Sequence, residues 1–404
     1  MFFSLAGETF FASYGLLMGE QAAVDSLLYL LASMIFIFSI LLQPETGFSI
    51  PKDSKKEFFL KLILVVVMTG IAWISSRFWF SEIPIDPDYA DMLPVIKVMN
   101  ERFLSGHWRS VYDRIPEIWN GVLPIYLPAM WLPYSGAVFL QMDMRWVTAG
   151  AVLLSFFGFL RIVRIKQNGY FGIGLLSIAA LLFWWIFARN DIHNLISMSE
   201  EGVVILYFVL LTIAILSGNI YFISITASLC MLSRYSMIGW LIPFMFYLFI
   251  RKEFRKLFIF LLTGFIFFLF LLLIPFGFKM LERMIALPGN YIVFAKRIWE
   301  HNPEVYWLNP GLAKFYGPSR IAALHKTLLV MSFLAPFLFL SICQFQKRWK
   351  LENINLACFK LSIVIFYQFI DVPYGYLFYT SSFVSLIIAS VCLKPKRVEG
   401  GFKP

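Results

Sequence analysis

Three carboxylates, Asp86, Asp88 and Asp91, fall within six residues directly after an apolar run that ends near Phe80. Like charges held this close raise one another's proton affinity. A carboxylate so tuned at a membrane surface suits the removal of a proton from an acceptor hydroxyl. Asp91 ranks first, because Pro94 three residues on marks a helix start that would hold it in place. The plain alternatives are a helix cap for Asp88 or Asp91, and simple solvation for Asp86, which lies between two prolines. Among the cations, Arg145, Arg189, Arg234 and Arg283 stand near the ends of apolar runs. There a guanidinium can grip a phosphate through two bonds or merely snorkel to lipid headgroups.

The elements that must position these groups are membrane helices. Of 404 residues, 60% are hydrophobic, 19% aromatic and only 14% charged, and the apolar residues come in long blocks. Ordinary soluble domains carry about 25% charged residues. A soluble enzyme, a disordered chain and a disulfide scaffold are therefore excluded. The composition predicts an all-α, polytopic transmembrane helical bundle of about eleven spans, within a range of about 9–12. The segments are 22–42, 58–80, 143–163, 170–188, 202–217, 219–233, 235–250, 257–276, 324–344, 356–370 and 376–393. The three between 202 and 250 are short, which leaves room for two long tilted helices in their place.

Charge sets the expected orientation. If the loop 43–57 is cytoplasmic and the chain alternates, the inner side receives 18 basic and 6 acidic residues, and the outer side 15 basic and 18 acidic. That asymmetry is the positive-inside pattern. It predicts the N-terminus outside and the C-terminus in the cytoplasm, and the expected location is the plasma (inner) membrane. The chain then reads as a single membrane domain with five parts. Residues 1–80 hold an interfacial stretch and two spans, 81–142 an outer acidic loop, and 143–277 the central spans. A second outer loop follows at 278–323, then the last spans and a basic tail at 324–404. No basic leader or small-residue cleavage site precedes the first span, so it reads as an anchor. Lys360 is almost the only charge well inside a span, and it reads as snorkelling to a cytoplasmic end.

Within the first outer loop, Tyr89, Met92, Leu93, Ile96, Met99, Asn100, Phe103 and Leu104 recur at helical spacing, opposite Lys97, Glu101 and Arg102. This predicts an amphipathic helix in the interface, ended by Gly106. Three prolines, Pro124, Pro128 and Pro133, then forbid one regular helix over a stretch rich in aromatics. Such irregular backbone is tolerated at a membrane only where protein buries it or it lines a cavity.

At these residues the chain resembles the integral-membrane GT-C glycosyltransferases, and most of all the branch of polyprenyl-phosphate-mannose-dependent mannosyltransferases. The likeness rests on Asp86/Asp88/Asp91, the helix to Gly106, Tyr112-Asp113, Tyr126-Leu127-Pro128 and Trp131-Leu132-Pro133. It extends more loosely to Arg189-Asn190-Asp191, Ser233-Arg234 and Asp371-Val372-Pro373-Tyr374-Gly375-Tyr376. An additional span at 22–42 precedes the helix that normally leads into the acidic loop. The resemblance implies a hexosyltransferase with a polyprenyl-phosphate sugar donor, mannose being the sugar of that branch, and a glycan or glycolipid acceptor. It implies transfer at the extracytoplasmic face. On this reading a loop aspartate is the base, Arg189, Arg234, Arg145 and Arg283 meet the donor phosphate, and Tyr89, His193, Tyr126, Trp131 and Tyr374 contact substrate. A solvated loop histidine is the plain reading of His193, and His325 ranks below it.

No Gly-rich phosphate loop or dinucleotide fingerprint appears in any cytoplasmic segment, in keeping with a lipid-borne donor. No cofactor, no metal and no nucleic-acid partner is expected. Asp86-Pro87-Asp88 has a D-x-D spacing that some GT-C enzymes use for a divalent cation, but two carboxylates underfill an octahedral site. Glu200 and Glu201 read as acids favoured at a helix N-terminus, and Asp143 as a partner of Arg145. The alternatives are a polysaccharide polymerase or ligase, and a lipid or solute transporter or flippase, which would show inverted repeats and mid-span charges.

Overall fold

A computed structural model describes residues 1–14, 22–44, 53–119, 121–165, 169–189 and 195–393. Among the described residues every regular element is helical, and the only β pairing is one bridge between Ile115 and Val122. Each of the eleven apolar segments contains a helix. In chain order the main helices are α1 (Phe2–Tyr14), α2 (Ala22–Leu41), α3 (Lys55–Glu82), α4 (Met92–Leu104), α5 (Arg145–Ile162), α6 (Tyr170–Phe187) and α7 (Glu201–Ser217). There follow α8 (Ile220–Met231), α9 (Ile238–Ile250), α10 (Phe254–Phe268), α11 (Lys279–His301), α12 (Ile321–Gln346), α13 (Leu351–Gln368) and α14 (Tyr379–Cys392). Among the described residues, seven helices are long and apolar enough to cross a membrane.

The short stretch between 202 and 250 resolves into three helices rather than two. Gly218 ends α7 in the left-handed region (φ 67°), and Asn219 caps α8 by accepting from the Tyr221 and Phe222 amides. The chain turns again at Leu232–Arg234 before α9.

Burial sorts the helices. Every residue of α14 is buried, so it forms the central strut, flanked by α1, α5, α7 and α13. A helix buried all round needs no polar face, and its Ser381 and Ser385 bond the buried Glu8 of α1. By contrast α3 and α10 lie at the periphery and expose Phe58, Ile63, Ile74, Phe258 and Phe265, as lipid-facing helices do. Close approach within the bundle depends on Gly202 of α7. A Cβ there would meet the Thr148 backbone oxygen of α5 at 2.6 Å.

The N-terminal stretch differs from the interfacial segment expected. It is the helix α1, packed against α2, α6 and α14, with Phe2 beside Phe171 at the start of α6. Met1 therefore lies at the end of the bundle where α6 begins, which is the end that carries the basic loops and not the acidic one. Glu8 is fully buried, and so is Lys360, which does not snorkel. The two charges pair with each other, and only the fold reveals a partner so distant in sequence.

The amphipathic helix α4 forms where expected, and Gly106 follows it with φ 82°. Its apolar face, however, is covered by protein. Leu93, Val95, Ile96 and Met99 pack against Val111, Tyr112, Ile115, Trp131 and Phe276. The proline-punctuated stretch is likewise buried, with the Ala129 amide donating to the Leu232 carbonyl at 2.9 Å. The second observation fits the rule that irregular backbone beside membrane helices finds its partners in protein.

Candidate active site

Five separate segments meet at one end of the bundle and enclose a cavity of about 360 Å³. The start of α4 supplies Asp91 and the start of α7 supplies Glu200. Arg234 comes from the turn between α8 and α9, His325 from the second turn of α12, and Asp371 from the link between α13 and α14. Tyr126, Tyr291, Tyr374 and Tyr376 line the walls.

Asp91 occupies the cap position of α4, yet its side chain makes no capping bond. It is 7% exposed and lines the cavity. Burial, reinforced by the nearby Glu200 charge and opposed by Arg297, pushes its carboxyl up to about 7. A carboxylate that gains a proton near neutrality is matched to general base work.

Opposite it, Arg234 donates to Glu200 Oε1 at 3.2 Å and to Glu201 Oε2 at 2.5 Å. Glu201 also accepts from the Tyr367 and Thr380 hydroxyls, both at 2.9 Å. The guanidinium is therefore committed to two carboxylates, although its Nε is buried without a partner among the described residues. Of the two acids read from sequence as favouring a helix start, Glu200 lines the cavity and Glu201 lies behind it, joined to it through Arg234. The signal was present in outline, since an acidic pair opens one span and an arginine opens another.

His325 Nδ1 and Asp371 Oδ2 share a hydrogen bond of 2.5 Å, and burial raises the Asp371 carboxyl against the pull of that histidine. His325 Nε2, Asp371 Oδ1, Glu200 Oε2 and Ser332 Oγ are all buried without partners among the described residues. Buried polar atoms are almost always bonded, so these atoms around one hollow are left to bond water or a ligand within it.

The remaining expected residues separate into three groups. Asp91, Arg234, Tyr126 and Tyr374 line the cavity. Asp86, Asp88, Tyr89, Arg145, Arg189 and Trp131 do not. Asp86 Oδ1 accepts from the Asp88 amide at 2.9 Å, a local turn, while Asp88 and Tyr89 are exposed. Arg145 pairs with Asp143, as expected of that acid, and bonds the Ile83 and Phe80 carbonyls, so it locks the corner between α3 and α5. Arg189 lies over the Trp185 ring, 4.4 Å from its centroid. Trp131 is fully buried and donates to the Tyr112 hydroxyl at 3.1 Å. His193 and the side chain of Arg283 lie outside the described residues. No group of three or more metal-ligating side chains occurs among the described residues, so the D-x-D pair gains no third acid there.

One wall is apolar and reaches the outside of the bundle. Leu328, Leu329, Ser332 and Phe333 form a stripe along α12, on which Leu329 is 43% and Phe333 42% exposed. Fold and site together define a helical membrane protein with an acidic cavity, one wall of which is partly exposed apolar helix surface. No protein family matches the chain, nor does any curated protein or solved structure.

Proposed function

We propose that this protein is a membrane glycosyltransferase. It moves a hexose from a polyprenyl-phosphate carrier to a glycan or glycolipid acceptor at the extracytoplasmic face, with Asp91 as general base. The acceptor hydroxyl loses its proton to Asp91 as its oxygen bonds the sugar's anomeric carbon. The bond from that carbon to the phosphate oxygen breaks, and polyprenyl phosphate leaves.

The observation that carries this reading is Asp91 itself. It is a buried carboxylate with no capping bond, set in a cavity of ligand size, one wall of which is partly exposed apolar helix surface. Tyrosines around the cavity suit stacking against sugar rings and bonding their hydroxyls. The buried Glu8–Lys360 pair is the mid-helix charge that a transporter would carry. Its groups bond one another and α14 serines, and neither lines the cavity, which favours a structural role.

The test is to incubate the purified protein in lipid nanodiscs with radiolabelled polyprenyl-phosphate hexoses and a glycolipid acceptor. One hexose should leave the carrier for the acceptor, and Asp91→Asn should lower the rate by at least about a hundredfold. Transfer undiminished in Asp91→Asn would remove the base. No transfer from any hexose carrier would remove the reading.

A further inference from the structure

His325 stands at the head of the apolar stripe on α12. Leu328 and Leu329 lie one turn further along the same helix face, and Ser332 and Phe333 two turns along. A prenyl chain laid along that stripe therefore ends its headgroup against the imidazole. Asp371 holds Nδ1, which leaves Nε2 as the ring's only other bonding atom. That nitrogen is buried and without a partner among the described residues, on a residue only 8% exposed. Among the described residues, Arg234 is the other basic side chain lining the cavity, and its terminal nitrogen pairs with Glu200 and Glu201. The geometry points to His325, oriented by Asp371, as the group that binds the phosphate of the isoprenoid carrier. This inference rests on the transferase reading and names the phosphate ligand of that site.

An imidazolium donates from both ring nitrogens, so it can bridge the Asp371 carboxylate at Nδ1 and a phosphate oxygen at Nε2. Arg234 then serves as a positioning residue that keeps two acids neutralised. The same chemistry could hold a free phosphate, so the lipid chain must be varied separately.

Binding of polyprenyl phosphate, polyprenol and inorganic phosphate to the full-length protein in nanodiscs would be measured by native mass spectrometry. Wild type should prefer polyprenyl phosphate over polyprenol by at least about tenfold, since bonds to a charged group are the strong ones. His325→Gln should erase most of that preference and leave polyprenol binding unchanged. Asp371→Asn, which keeps the imidazole, should shift it the same way by a smaller factor, and it carries the test if His325→Gln fails to fold. A preference unchanged in these variants overturns the assignment to His325 while leaving the transferase reading intact. Inorganic phosphate that binds as tightly as the lipid overturns the lipid source. Wild type that binds neither lipid overturns both readings.

Discussion

Glu8 and Lys360, 352 residues apart in sequence, meet at 2.5 Å inside the helix bundle. Ser381 and Ser385 donate to the same carboxylate at 2.6 and 2.8 Å, and the Lys360 ammonium donates to the Ser381 carbonyl at 2.8 Å. One cluster thus ties α1, α13 and α14. Removing one partner of a buried pair leaves an uncompensated charge, which costs about 3–5 kcal/mol. Glu8→Met or Lys360→Met alone should lower the unfolding midpoint sharply. The double variant should recover much of the loss, as read by thermal unfolding in detergent.

Asp91 sets the pH dependence. A base must be unprotonated, and the Asp91 carboxyl is pushed up to about 7. The value of kcat/KM for sugar transfer should therefore climb about tenfold per unit below about pH 7 and level off above it. Stability moves the other way. The folded state holds this proton more tightly than the unfolded chain, so the stabilisation is full below the ordinary carboxylate range, near about 4. It is lost as pH rises through about 7. Asp91→Asn should accordingly be inactive yet gain stability relative to wild type between about pH 5 and pH 8. An unfolding midpoint that falls equally in both proteins would contradict this.

Arg234 balances Glu200 and Glu201 at once. Arg234→Met should cost about 3–5 kcal/mol, because two buried acids lose their counter-charge. Adding Glu201→Gln should restore part of it. If Arg234 instead only reached outward to lipid headgroups, the single variant would unfold as wild type does.

Asp86, Asp88 and Trp131 lie off the cavity. Asp86→Asn and Asp88→Asn should transfer sugar within about twofold of wild type, since neither would touch the reacting atoms. Trp131→Phe should do the same while losing about 1 kcal/mol of stability with its bond to the Tyr112 hydroxyl. A large rate loss in either aspartate variant would move the base away from Asp91.

The helices, their apolar lengths and the irregular stretch around Pro128 are legible in the sequence, because hydrophobic block length and proline chemistry are local properties. Asp91 is legible too, through its place after a span and before Pro94. Its advantage over Asp88 and Asp86 comes from burial, which depends on what α4 packs against. The same holds for the acids opposite. Glu200 and Glu201 look like ordinary helix-start residues until Arg234, arriving from another connection, faces them. His325 looks incidental in the sequence because its meaning lies in Asp371, 46 residues away. Trp131 and Arg145 look functional there because an aromatic or a guanidinium near a membrane surface suits ligands and packing equally well. Local pattern determines that a segment is helical and how much of it must avoid water. Which polar groups are paired, and which are left facing a hollow, depends on contacts between segments far apart in the chain, and only the packed bundle decides that.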